Sequence, residues 1–366
     1  MNKKKGLNTE KTFALALQNL QKNNLQVAEN LYKEVLKTNP NHFESIFFLG
    51  TLSIQTKNFN IATQLLNKAI QIQPNHADAH NNLGTVLQEL GEYQKAISCY
   101  EKAIQIQPNH ADAHYNLGKL FKSSGEYKKT ISYYQKAIQI NPNYAEAHNN
   151  LGLVFFELGK FQKAMGCYEK AIQINPNYAG AYNNLGNVLQ VKVLGEREKA
   201  ISCYEKAIQI EPDSLTSHWL SMNTFPIIYK NLKEINLYRK RFEDCIEKIN
   251  QLLNTQSQYT KKQIIDAMNS STNFYLHYQG RDVLELQQHY AHLIERLTQK
   301  IYQEFHKEIK IKKSIAFIKI GFISSYFRNH SVSKMYKNLI QKLDQKFFKR
   351  FVYYAGNEFD HMTNEI

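Results

Sequence analysis

Residues 77–110 read ADAHNNLGTVLQELGEYQKAISCYEKAIQIQPNH, and this 34-residue unit recurs, with changes, through the first 213 residues. Within the unit, Leu83 and Leu87 lie one helical turn apart, which predicts a first helix with one apolar face. Gly91 marks a turn, and Tyr100 predicts the buried face of a second helix. Each copy ends near a proline, which cannot continue a helix from within. The prolines recur at intervals of 34, 34, 34, 34 and 36 residues, at Pro40, Pro74, Pro108, Pro142, Pro176 and Pro212.

Two positions of the unit are held by particular residue types. A glycine inside a helix costs about 1 kcal/mol relative to alanine, so its recurrence in the first helix predicts a close approach of the second helix. These glycines are Gly50, Gly84, Gly118, Gly152 and Gly186. The second helix carries a large aromatic side chain at one position, namely Tyr32, Tyr100, Tyr134, Tyr168 and Tyr204, with Leu66 in the second copy.

A 34-residue period with this interior is the signature of the tetratricopeptide repeat. A single helix pair cannot bury its apolar face alone, so the copies are expected to stack on one another. The predicted fold is mostly α-helical, with about six helix pairs in residues 9–214 that form a superhelix with a concave inner wall. The right-handed sense of that superhelix is implied by the resemblance to this repeat family.

The sequence on either side of the repeats predicts three further segments. Residues 1–8 form a polar leader, and residues 215–313 are predicted to be a helical cap and spacer, of which 215–253 cover the end of the last repeat. The segment 314–366 contains two β-branched and aromatic runs with a helical pattern at 329–343 between them. This order predicts a strand, a helix and a second strand, which is a short, incomplete α/β segment of Rossmann-like βαβ type.

Composition argues against several classes of function. The formal net charge is +14, but no lysine and arginine cluster alternates with aromatic residues, so nucleic-acid binding is not expected. No apolar run approaches the roughly 18 residues of a membrane span, and the N-terminus lacks the apolar core of a signal peptide. None of the four cysteines forms a CxxC pair, so no metal site is predicted and a reducing, cytoplasmic location is expected.

An asparagine recurs at one position of the first helix, and that position is predicted to face the concave wall. We call this set the asparagine ladder: Asn82, Asn116, Asn150 and Asn184. Because an amide both donates and accepts hydrogen bonds, such a ladder can hold the backbone of an extended polypeptide with little sequence preference. Preceding asparagines are expected to widen the polar stripe, at Asn81, Asn149 and Asn183, with Tyr115 as the exception. The alternative is an ordinary solvated helix face.

Two further periodic sets have structural explanations as well as functional ones. Asp78, Asp112 and Glu146 would make the wall acidic, but acids are also favoured at helix starts for dipole reasons. The wall lacks the pairs of lysine and arginine side chains that would bind a C-terminal carboxylate. Binding of an acidic peptide tail is therefore not expected. The periodic histidines are interpreted as packing residues rather than metal ligands, at His76, His80, His110, His114, His148 and His218.

The C-terminal motif resembles a known enzyme family. IKIGFISSYFRNHSVSKM (318–335), followed by FKRFVYYAG (348–356), resembles the start of the catalytic region of protein O-GlcNAc transferases and their Spindly-like relatives. STNFYLHYQG (271–280) is similar to the spacer of that family. The resemblance implies an inverting glycosyltransferase that transfers a sugar from a UDP-sugar donor to serine or threonine of proteins, with His330 as the active-site histidine.

Two readings of the whole chain follow. In the first, the chain is the acceptor-binding part of an O-GlcNAc-transferase-like protein whose donor-binding half is absent, so that this chain has no cofactor of its own and is not expected to be catalytic. In the second, the chain is a stand-alone scaffold for protein–protein interactions. In both, the expected partner is a polypeptide in the concave groove.

Overall fold

The computed structural model describes residues 2–192, 196–226, 229–255, 259–270, 282–301, 318–324 and 348–354. The chain divides into two compact units, Met1–Ile301 and Tyr302–Ile366. In the first unit, twelve helices follow one another as six pairs. They are α1 (Asn2–Gln21), α2 (Leu25–Thr38), α3 (Phe43–Gln55), α4 (Phe59–Ile72), α5 (Ala77–Glu89), α6 (Tyr93–Ile106), α7 (Ala111–Ser123), α8 (Tyr127–Ile140), α9 (Ala145–Glu157), α10 (Phe161–Ile174), α11 (Ala179–Lys192) and α12 (Arg197–Ile210).

The predicted helix pairs are confirmed. The two helices of each pair pack against each other, and the second helix of each pair packs against the first helix of the next. Small and large apolar residues of both helices fill the layers between them, and Ala96, Tyr100 and Leu117 are almost fully buried. The described contacts therefore join neighbouring pairs, as expected for a solenoid.

The close approach predicted at the recurring glycine is confirmed. A Cβ atom added to Gly118 would lie 2.6 Å from the ring of Tyr134, and one added to Gly84 would lie 2.7 Å from the ring of Tyr100. Real Cβ atoms do not approach other atoms so closely, and these tyrosines are buried. In the second repeat, where the aromatic residue is replaced by Leu66, an added Cβ on Gly50 would be 3.2 Å away.

The predicted leader is not separate from the array. Helix α1 begins at Asn2, so most of residues 1–8 belong to the first helix. The segment contains three consecutive lysines, which favour helix, and it has no proline that would interrupt the helix.

Among the described residues of the same unit, four more helices follow the repeats: α13 (Leu215–Met222), α14 (Leu232–Thr255), α15 (Lys261–Ser270) and α16 (Leu284–Ile301). Helix α13 packs against α12 as the first helix of a seventh pair would. One apolar cluster joins all four helices and includes Trp219, Phe242, Ile264 and Leu293. This cluster reaches beyond residue 253, because α15 packs against α13 and α16 packs against α14.

The second unit contains two described strands, β1 (Ile318–Ser324) and β2 (Phe348–Tyr354). They pair in parallel, with Ile318 opposite Phe348 and Ser324 opposite Tyr354. The predicted helix at 329–343 lies outside the described residues. A strand pair alone does not establish the predicted Rossmann-like βαβ segment.

Within the described ranges, no helix is both long enough and apolar enough to cross a membrane.

The glycine contact can be tested with one substitution and one control. In Gly118→Ala the new methyl group meets the buried ring of Tyr134, so the free energy of unfolding should fall by about 1–3 kcal/mol. In Gly166→Ala, on an exposed face of α10 with no atom within 4 Å of the added Cβ, it should rise by about 0.5–1 kcal/mol. Urea denaturation followed by circular dichroism measures both, and an equal effect of the two changes would contradict the packing argument.

The extent of the cap gives a second prediction. A fragment of residues 1–301 should keep its helicity and its melting temperature, because it contains the whole apolar cluster. A fragment of residues 1–253 exposes the apolar side chains that α15 covers on α13 and that α16 covers on α14, so it should melt at a lower temperature and associate with itself. Thermal circular dichroism and size-exclusion chromatography compare the two fragments. Equal stability of both would show that the cap ends at residue 253.

Candidate functional site

The first helices of the pairs lie next to one another. Helices α3 and α5, α5 and α7, and α9 and α11 are in mutual contact, whereas the second helices approach one another less closely. In a curved stack, the helices that come closest lie on the inner side of the curve. We therefore call the accessible face of α3, α5, α7, α9 and α11 the inner wall.

The asparagine ladder lies on the inner wall, and each of its amides is half-buried. Every ladder Nδ2 donates a hydrogen bond to the first helix of the preceding pair. The acceptors are Oγ1 of Thr51 for Asn82 at 3.1 Å, Oδ1 of Asn81 for Asn116 at 3.0 Å, the hydroxyl of Tyr115 for Asn150 at 2.8 Å, and Oδ1 of Asn149 for Asn184 at 2.9 Å. The ladder thus forms a belt of hydrogen bonds between pairs, which the sequence did not predict.

The belt leaves hydrogen-bonding capacity on the wall. An asparagine amide has two N–H donors and an oxygen with two acceptor sites. The bond to the preceding pair uses one donor, and the oxygens of Asn82 and Asn150 each accept a long bond of 3.4 Å from the preceding residue. At least one donor and one acceptor site per amide therefore stay available to a ligand, and the amide is held in a fixed orientation.

The asparagines before the ladder are not on the wall surface, which corrects the expectation that they widen the polar stripe. Asn81, Asn149 and Asn183 are 7%, 5% and 9% exposed. Asn81 and Asn149 accept the belt bonds, and Asn183 donates to Oγ of Ser217 on α13 at 2.9 Å. The reason is helical geometry, since the next position along a helix is rotated by about 100° towards the neighbouring pair. Direct peptide contacts of these three residues stay a prediction.

The acidic residues of the wall are exposed, and two of them also link neighbouring pairs. Asp78 accepts a hydrogen bond from Nε2 of His110 at 3.0 Å, and this bond holds the pKa of the Asp78 carboxyl below its usual value. Nδ1 of His110 accepts the N–H of Ala113 and caps α7. An imidazole that accepts at Nδ1 and donates at Nε2 is neutral, so this contact is a hydrogen bond rather than an ion pair. In the next repeat, Tyr144 donates to Asp112 at 2.8 Å.

The other periodic histidines also make contacts within the array: His76 caps α5 through Nδ1, and four others bond to a turn. In each of these four, Nε2 bonds the carbonyl of the proline six residues earlier, at 2.9–3.1 Å. The pairs are His80 with Pro74, His114 with Pro108, His148 with Pro142 and His218 with Pro212. These bonds tie the turn between repeats to the first helix. Among the described residues, no group of three or more histidine, cysteine, aspartate or glutamate side chains is placed to hold a metal ion.

One feature of the wall was missed at the level of sequence. The residue before the first helix is His42, His76 and His110 ahead of α3, α5 and α7, but Tyr144 and Tyr178 ahead of α9 and α11. Tyr144 lies against Tyr115 of α7, with ring centroids 4.9 Å apart. The change from histidine to tyrosine at one repeat position was the available signal.

His330 lies outside the described residues, so its assignment as an active-site residue stays a prediction.

Comparisons with known proteins agree with the repeat architecture. Tetratricopeptide-repeat family models match residues 75–143, 145–178 and 167–201, and a model for subunit 3 of the anaphase-promoting complex, or cyclosome, matches residues 18–103. The comparison with curated proteins found no relative. The prediction of tetratricopeptide repeats is confirmed. None of these family models describes a glycosyltransferase, so the resemblance seen at 318–335 gains no support from them.

Similar solved structures include three helical repeat proteins. Pseudomonas aeruginosa pilF is 24% identical, with 60% of this chain and 96% of that chain covered and a TM-score of 0.50. The Cut9–Hcn1 hetero-tetramer of the anaphase-promoting complex is 15% identical, with 59% and 43% covered and a TM-score of 0.54. YrrB, a tetratricopeptide-repeat protein with an unusual peptide-binding site, is 25% identical, with 52% and 95% covered and a TM-score of 0.40. The first two likenesses concern the fold alone.

The turn histidines predict a loss of stability in acid. Burial lowers the pKa of His114, His148 and His218 below the usual imidazole value. The unfolded chain therefore takes up protons first as the pH falls below about 6.5, so the stability present above that pH should decline towards pH 5. The urea midpoint at pH 7.5 and 5.5 measures the decline.

The control keeps the hydrogen bond but removes the titrating group. Changing all three histidines to glutamine retains an N–H donor for the proline carbonyl, so the urea midpoint should depend less on pH. An undiminished pH dependence in that triple variant would exclude these histidines as its source.

Proposed function

We propose that this chain, which carries tetratricopeptide repeats over residues 75–143 and 145–201, is a protein-binding scaffold that holds an extended polypeptide segment along its inner wall. Solenoids of stacked repeats present extended concave surfaces of this kind. The observation that carries the proposal is the asparagine ladder, in which four amides recur on one face and are fixed in orientation by bonds between pairs.

The chemistry of the ladder suits a polypeptide backbone. A peptide group offers one donor and one acceptor, and a fixed amide side chain can satisfy both. Because the orienting bonds are already made in the free protein, the ligand does not have to order these side chains, which lowers the entropy cost of binding. Backbone contacts carry no side-chain information, so the preference for particular sequences should be weak along the ladder.

The scaffold reading is preferred to the glycosyltransferase reading. The latter rests on residues 318–335 and 348–356, of which the structure describes only β1 and β2, and no matching family model extends to them. An acceptor-binding array and a scaffold would both hold a polypeptide on the inner wall, so the proposed binding mode does not depend on an attached enzyme.

The ladder can be tested with peptides selected from a random twelve-residue library displayed on phage, with the full chain as bait. Each net hydrogen bond contributes about 0.5–1.5 kcal/mol. Changing Asn82, Asn116, Asn150 and Asn184 to alanine should therefore weaken binding of a selected peptide on the order of 10²–10³-fold. Fluorescence anisotropy with the synthetic peptide measures the loss.

The matched control is Asn81→Ala with Asn149→Ala. These changes remove two acceptors of the belt, so they should lower the urea midpoint, but they leave all four ladder amides on the wall. Because Asn116 and Asn184 lose the bonds that orient them, peptide binding should weaken by about three- to tenfold, which is well short of the loss expected for the ladder variant. If the control weakens binding as much as the ladder variant does, the ladder acts only through the stability of the array and the proposed backbone contacts are wrong.

A further inference from the structure

Two tyrosines of the inner wall are in ring contact, and a third stands at the equivalent position one repeat further on, where it acts electrostatically on the first. We call them the tyrosine patch: Tyr115 on α7, Tyr144 at the start of α9 and Tyr178 immediately before α11. All three are half-buried, so each keeps part of its side chain accessible. The rings of Tyr115 and Tyr144 lie 4.9 Å apart at an interplanar angle of 33°. The hydroxyl of Tyr115 accepts the ladder amide of Asn150, which joins the patch to the ladder.

Two exposed carboxylates belong to the same place. Asp112 accepts a hydrogen bond from the hydroxyl of Tyr144 at 2.8 Å, and Glu146 stands in the first turn of α9. Burial raises the pKa of Tyr115 to about 12, and the negative charges of Glu146 and Asp112 add to that shift. Burial also raises the pKa of Tyr144 and Tyr178, and Glu146 adds to both shifts. The charged groups acting on all three rings are thus carboxylates, in a chain whose formal net charge is +14.

This arrangement has the chemistry of a cation site. The face of an aromatic ring attracts a cation, and arginine makes this contact more often than lysine. A guanidinium group is flat and carries five N–H donors, so it can stack on a ring and donate to carboxylates at the same time. We propose that the tyrosine patch with Asp112 and Glu146 is a subsite for an arginine side chain of the bound polypeptide. The proposal rests on the polypeptide-binding function proposed above.

The subsite is confined to one part of the array. The positions equivalent to Tyr144 and Tyr178 hold His42, His76 and His110 in the earlier repeats, and each of these uses Nδ1 to cap its own helix. A ladder that reads only backbone would let a polypeptide slide from repeat to repeat. A single arginine subsite beside one part of the ladder, next to Asn150, fixes the register of the bound segment.

The experiment compares arginine with citrulline, which has nearly the same shape but no charge. The tightest peptide from the display selection is synthesised with arginine or citrulline at each position in turn, and binding to the full chain is measured by fluorescence anisotropy. At one position, arginine should bind roughly three- to tenfold more tightly than citrulline, and the difference should shrink as salt is raised.

The variant Tyr144→His with Tyr178→His tests the patch. Histidine holds the same position in three earlier repeats, and His110 makes the equivalent contact to a wall carboxylate, so folding should be retained. This variant should lose the preference for arginine, whereas the control Tyr93→His, on an exposed tyrosine of α6, should keep it.

The outcomes separate this proposal from the one on which it rests. Equal binding of arginine and citrulline at every position, with binding still dependent on the ladder, would overturn the subsite and leave the scaffold function standing. A preference for arginine that survives Tyr144→His with Tyr178→His and also Asp112→Asn with Glu146→Gln would place the cation elsewhere and overturn the subsite too. Failure of every selected peptide to bind would overturn the scaffold function itself.

Discussion

The absence of a Cβ atom on one glycine determines how four of the six helix pairs close. At the recurring glycine of the first helix, the ring of the tyrosine from the second helix occupies the space that a Cβ would need. This contact sets the separation of the two helices, and all later packing depends on it, because each pair presents its outer faces to the next pair. The cost of glycine in a helix, about 1 kcal/mol per site, is offset by the burial of a large aromatic ring, which contributes more than that.

The sequence predicts contacts within a repeat better than contacts between repeats. The pairing of Gly84 with Tyr100 follows from helical periodicity, because both residues recur with the period and lie in helices joined by a tight turn. The partner of a ladder amide depends on how far one pair rotates against the next, and no local pattern encodes that rotation. The belt bond from Asn116 to Asn81 therefore follows from the structure and not from the sequence, although both residues belong to recurring positions.

In the candidate site, too, the features set by the repeat period were predictable from the sequence, and the contacts between repeats were not. The position of the ladder on the inner wall was predictable from its period, whereas the burial of Asn81, Asn149 and Asn183 was not. The sequence pattern predicts that these asparagines continue a polar surface. Buried polar side chains need hydrogen-bond partners, and here they accept or donate the bonds between pairs. The tyrosine patch was missed because each tyrosine departs from a repeat consensus, and a search for recurring residues passes over such departures.

The belt has a mechanical consequence. Its bonds join successive first helices on the inner side of the curve, and no described side-chain bonds of the same periodic kind join the second helices. If the array is pulled straight, the inner side must lengthen most, so these bonds are strained before the outer contacts are. The four hydrogen bonds donated by the ladder amides therefore resist straightening of the array. A ligand that bonds to neighbouring amides adds further links along the inner side of the curve. The array should therefore be stiffer with the ligand bound than without it, even where no helix has moved.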